Sequence, residues 1–202
     1  MNLQKTTFVE NNSSSSRSNT AVIAFLKSTY QLFAASLLAA TVGAYIGLNM
    51  VSTIQSWFWG FVILELVLLF GIYAVKNKPG INLIVLFAFT FVSGLTLVPL
   101  LTHTFNMPGG AGIVANAFGM TTVIFGSISF FALTTKRDFS SMGRMLFIAL
   151  IIVVIASVIN IFLGSPILQV MIAGVGALLF SAFILYDTQA IVNGAYETPI
   201  ES

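Results

Sequence analysis

Residues Leu179–Gly194 read LFSAFILYDTQAIVNG. An apolar run ends there on Asp187, in a chain that holds only six Asp and Glu among 202 residues. Followed backwards, the run continues to Ile167, about the length of helix that crosses a lipid bilayer. The acid therefore stands where an apolar span ends, and the rest of the chain is read outward from that point.

The whole sequence has the composition that such a span requires. It is 57% hydrophobic and 7% charged, whereas a soluble domain carries about 25% charged residues. So few charges cannot cover a water-facing surface, and lipid must be the solvent for most of the chain. Five further runs resemble the first. Spans are predicted at about Thr29–Leu48, Trp57–Val75, Ile81–Leu101, Gly112–Leu133 and Met145–Leu163, with Ile167–Tyr186 as the sixth, trailing into Ile191. Without water in the bilayer core such segments are helices or closed barrels, and unbroken apolar runs favour helices because barrel strands alternate. The expected fold is all-α, a polytopic membrane bundle over residues 25–194. A disordered polar tail is predicted over 1–24, where NNSSSSRSNT reads as solvated, and a short C-terminal segment over 195–202. Residues 1–20 lack the apolar core of a cleavable signal peptide.

Zero cysteines exclude disulfides and thiolate metal sites, and the single histidine, His103, excludes multi-histidine sites. The net charge of +2 would suggest nucleic acid in a soluble protein. Here topology explains it, and no nucleic-acid partner is expected. Lys5, Arg17 and Lys27 precede span one. Lys76 and Lys78 lie between spans two and three, and Lys136, Arg137 and Arg144 between four and five. All eight basic residues thus fall on one side of the membrane. By the positive-inside rule the N-terminus is cytoplasmic, and Asp187 lies near the cytoplasmic end of span six. Small residues mark packing faces: Ala35, Ala39, Gly43 and Gly47 on span one, and Gly112, Gly119 and Gly126 on span four. Asn160 in span five reads as interhelical glue, and His103 as a residue of the outer loop.

Two acids lie in or against the membrane. Glu65 is near the middle of span two, in FVILELVLL, and Asp187 ends span six. An acid at a span centre costs about 2.5–3.5 kcal/mol on insertion scales, so it normally faces the bundle interior with a partner. Lys76 shares a face with Glu65, about 16 Å along the helix, and lies at a depth similar to that of Asp187. A Lys76–Asp187 pair is possible if spans two and six are neighbours. Helical spacing also puts Gly176, Phe180 and Phe183 on the face of Asp187, an inward face with apolar plugs and a titratable mouth. Burial there disfavours the charged carboxyl and a lysine favours it, the conditions of a proton-sensitive switch.

Four stretches carry a further likeness: FLKSTYQLFAASLLAATVGAYIG (25–47), FVSGLTLVPLL (91–101), ALTTKRDFSSMG (132–143) and LLFSAFILYDTQAIVNG (178–194). Together they resemble the Bax inhibitor-1 family, also called the transmembrane Bax inhibitor motif family, which has bacterial members. The resemblance implies two three-helix layers around a seventh helix and a pH-sensitive calcium leak across the bacterial cytoplasmic (inner) membrane. It matches Asp187 to a gating acid, Lys76 to a basic partner at the end of span two, and Glu65 to an acid in that span. In calcium-leak members of the family the gating acid pairs with a second aspartate on that seventh helix; the sequence here departs from the pattern, with six expected spans and no second membrane aspartate up to Ser202. Calcium would then be a permeant ion held briefly by Asp187 and Glu65, with no resident cofactor. An alternative implied by bacterial members is modulation of a membrane-embedded quality-control protease, with Met1–Asn19 as the handle. An enzyme is not expected: an intramembrane aspartyl protease needs two aspartates sharing a proton, Asp138 falls in a loop, and His103 lies outside the membrane core.

Overall fold

Apolar chain in lipid must satisfy its own backbone polar groups, and the computed structural model of the protein does so with helices alone among the described residues. The structure describes residues 3–135, 137 and 139–192. The C-terminal segment 195–202 and the residues Lys136 and Asp138 lie outside them. The helices are α1 (Leu3–Leu48), α2 (Val51–Ser56), α3 (Phe58–Ala74), α4 (Ile81–Thr96), α5 (Val98–Phe105), α6 (Gly110–Thr134), α7 (Gly143–Leu163) and α8 (Pro166–Val192), with a 3-10 turn at Ser140–Met142 before α7. Among the described residues five apolar stretches are long enough to cross a membrane: Ile23–Leu48, Ile81–Phe105, Gly110–Thr134, Gly143–Leu163 and Pro166–Val192. The sixth, α3, has 17 residues, at the short end for a span. Exposed Trp57 and Trp59 stand at one end of it and exposed Tyr73 at the other, as aromatic residues do at membrane interfaces. The protein is a polytopic helical membrane protein. Lipid accounts for its exposed apolar surface, which includes Phe162 at 85% exposure.

Two expectations are revised. The third span is not one helix: α4 ends at Thr96 and α5 starts at Val98, because Pro99 has no N–H to offer the Leu95 carbonyl four residues earlier. Residues 49–56, expected as a loop, contain α2, whose Ile54 is fully buried. The helix α1 has its first residue at Leu3; prolonging an existing helix needs no new nucleus.

The chain divides into two units, Lys27–Phe118 and Met1–Leu26 with Gly119–Ser202. In the first, α4 touches helices on two faces. On one, its backbone approaches that of α1 so closely that a Cβ at Gly94 would lie 2.0 Å from the Ala40 carbonyl oxygen, and one at Gly43 2.2 Å from that of Phe91. The small-residue stripe of span one thus does what its spacing predicts. Next along it, Gly47 lies under Ile54, Leu95 and Val98, the buried apolar cluster of this unit, against which Val51, Phe61 and Phe91 pack. The other face of α4 meets α3. The stripe on span four is different: a Cβ at Gly112, Gly119 or Gly126 meets no described atom within 4 Å.

In the second unit α7 and α8 form an antiparallel hairpin through Gly164-Ser165-Pro166. Gly164 ends α7 in the left-handed conformation, φ +61°, which suits a residue without Cβ. Ser165 accepts the Leu168 N–H on its hydroxyl at 3.3 Å, and Pro166 takes the first helical position, where a missing N–H costs nothing. Asn160 belongs to this turn. Its side-chain oxygen accepts the Ser165 N–H at 3.1 Å, so it caps its own helix end, and the expected interhelical bond gives way to that cap.

The contrast between the glycine stripes is measurable by thermal unfolding in detergent micelles. Gly94→Ala is expected to lose about 1–3 kcal/mol, since backbone must move to admit the methyl. Gly119→Ala is expected to be neutral or to gain up to about 1 kcal/mol from helix propensity. Equal stability of the two variants would contradict the α1–α4 contact.

Candidate functional site

Two polar constellations stand out, one in each unit. In the first, Glu65 projects from the middle of α3, half-buried, toward α4. Ser93 and Thr96 lie three residues apart on α4, hence on one face, and both hydroxyls reach the carboxyl group. Ser93 Oγ donates to Glu65 Oε1. Thr96 Oγ1 donates to Glu65 Oε2 at 2.9 Å, and the same hydroxyl lies 2.9 Å from the Ser93 carbonyl. The acid at mid-span therefore has the interhelical partners that its burial in lipid requires. The break between α4 and α5 follows Thr96 directly, so this oxygen-rich corner sits where the backbone is also irregular. Ser93 and Thr96 were not singled out from the sequence. The available signal was the SGLT segment, two small hydroxyl residues inside an apolar run.

The second constellation is the end of α8 around YDTQ. Tyr186 lies over Gly143 at the start of α7, where a Cβ would come within 2.6 Å of the Tyr186 hydroxyl. Gln189, 5% exposed, uses both ends of its amide on the loop between α6 and α7. Its Nε2 donates to the Arg137 carbonyl at 2.5 Å, and its Oε1 accepts the Phe139 N–H at 3.0 Å. Thr188 is also buried, whereas Asp187, between Tyr186 and Thr188, is exposed. The anchors of the motif are thus Tyr186 and Gln189, neither of which was read as functional.

The other expected site residues distribute as follows. Gly176 is buried, Phe183 is half-buried and Phe180 is 57% exposed, so the three do not share one environment. Lys76 is exposed at the end of α3, its ammonium 4.5 Å from the centre of the Tyr73 ring, a cation–π contact. Lys76 and Glu65 belong to the first unit, and Asp187 to the second. His103 is exposed in the last turn of α5. Among the described residues no three His, Asp or Glu side chains gather as a metal site. A calcium ion, which takes six to eight oxygens, would find at Glu65 one carboxylate and two hydroxyls.

Comparison with known proteins gives a match to a family model described as inhibitor of apoptosis-promoting Bax1, over residues 22–201. An uncharacterised protein of Helicobacter pylori (strain J99) is 54% identical over 181 residues, covering 90% of this chain and 78% of its own. An uncharacterised membrane protein of Vibrio cholerae is 36% identical over 170 residues, 84% of this chain and 75% of its own. The protein of Escherichia coli K12 described as modulator of FtsH protease YccA is 38% identical over 137 residues, 66% of this chain and 62% of its own.

The Glu65 corner has an asymmetric signature. Ser93→Ala with Thr96→Val strips the acid of its donors and is expected to lower stability by about 2 kcal/mol or more. Adding Glu65→Leu to that pair removes the stranded acid and should restore much of the loss, read by thermal unfolding in micelles. A triple variant no more stable than the double would contradict the assigned bonds.

Proposed function

The chain belongs to the Bax inhibitor-1 family, and from that premise we propose that it is an inner-membrane interaction protein that modulates a membrane-embedded quality-control protease. The similarity to the E. coli relative described as a modulator of FtsH protease carries this reading. A second relative in E. coli O6:H1 is described as an inner membrane protein, which agrees with the location. The positive-inside rule places the N-terminus in the cytoplasm. On that side lie the polar segment Met1–Asn19, the basic loop around Arg137 and the end of α8. These are the surfaces a protease in the same membrane would meet.

A second reading is a cation leak sensitive to pH, favoured by the oxygen cluster at Glu65. A carboxylate with two hydroxyls inside a membrane offers a cation a partial and therefore weak coordination shell, suited to a transient stop rather than storage. Asp187, exposed at the end of α8, is then the group whose protonation switches the leak.

One pair of measurements separates the readings. With the protein and a purified membrane protease in the same liposomes, the first predicts that degradation of a membrane substrate changes several-fold when the full chain is present and not when residues 1–19 are deleted. The second predicts pH-dependent calcium flux in liposomes without protease, its pH dependence lost in Asp187→Asn and its rate changed in Glu65→Gln. A full chain that leaves degradation unaltered contradicts the first reading. Flux that still follows pH in Asp187→Asn contradicts the second.

A further inference from the structure

A primary amide is a side-chain group that can pair with a peptide backbone as another backbone does, giving one N–H and accepting another. Gln189 uses both ends in this way, on positions 137 and 139 of a loop, 52 and 50 residues earlier in the chain. It recognises the loop's main chain, so the pairing does not depend on which side chains the loop carries. The amide is 5% exposed, and water cannot readily replace either bond. Three residues earlier, Tyr186 lies on Gly143 where α7 begins. The end of α8 thus touches the connection at 137, 139 and 143. That connection bears exposed Arg137 and leads into exposed Arg144.

We propose that Gln189 is a latch that couples α8 to the α6–α7 loop, so that the position of α8 sets whether the basic loop is held or released. α8 is one unbroken helix from Pro166 to Val192, and a shift or rotation along it carries Gln189 with it. Hydrogen bonds weaken steeply as they lengthen and bend, so a displacement of about one ångström unlatches the loop. This goes beyond either functional reading. It names the part through which an event along α8 reaches the surface that a protein partner would contact, and it holds whether that event is partner binding or ion passage.

The absence of cysteine allows a single spin label at Ser141→Cys, an exposed position in the 3-10 turn, on the full chain in nanodiscs. The latch predicts a restrained label and a slowly exchanging Phe139 amide. Gln189→Met, similar in shape but unable to pair, should mobilise the label and speed exchange of the Phe139 amide by about tenfold, while helix content stays unchanged. An unchanged label and amide in Gln189→Met would overturn the proposal. So would a Phe139 amide in the unsubstituted sequence that exchanges as fast as an open loop, a result available even if the Met variant does not fold.

Discussion

Helices in lipid gain little by hiding apolar surface from one another, because lipid tails hide it equally well. What remains to hold the bundle is close backbone approach and hydrogen bonding across helices. In the unit Lys27–Phe118 both act on α4. Gly43 and Gly94 let α1 and α4 meet backbone to backbone, and Ser93 and Thr96 on α4 receive the acid of α3. The Ile54, Leu95 and Val98 cluster closes the end of that contact where Gly47 leaves room. The glycine contact and the two hydroxyls fall on one short stretch of α4, Ser93 to Thr96, so α1 and α3 both bear on the same turn.

The unit that contains α7 and α8 relies on capping and on main-chain recognition. Gly164, Ser165 and Pro166 each occupy the turn position that their backbone chemistry favours, and Asn160 completes it. At the other end of α8, Gln189 binds the loop backbone and Tyr186 covers Gly143. Asp187 is flanked by residues that hold structure while it stays exposed. An ionisable group on a firmly anchored helix end is well placed to alter a surface, which is why both proposed functions converge on that end of α8.

How much of this was legible in sequence follows from the range of each interaction. The spans were legible because their apolar runs are continuous, and so was the packing stripe of α1, because small residues at every fourth position have one physical use. The same argument misled at Gly112, Gly119 and Gly126, where no described neighbour comes close. The α4–α5 break was written in Pro99 but was outweighed by the apolar run around it. Glu65 was recognised as an acid needing a partner, yet its partners lie 28 and 31 residues away, and only the folded arrangement identifies them. Gln189 was missed for a related reason: its partners are backbone atoms, which leave no trace in residue identity.

Direct association is the most economical test of the account's central claim that this chain acts through a protease in its own membrane. Fluorescently labelled full-length protein and a purified membrane-embedded quality-control protease, placed together in lipid nanodiscs or liposomes, should show saturable energy transfer that unlabelled protein displaces. Transfer that stays at the level of random encounter, rising in proportion to surface density without saturation, would contradict the account.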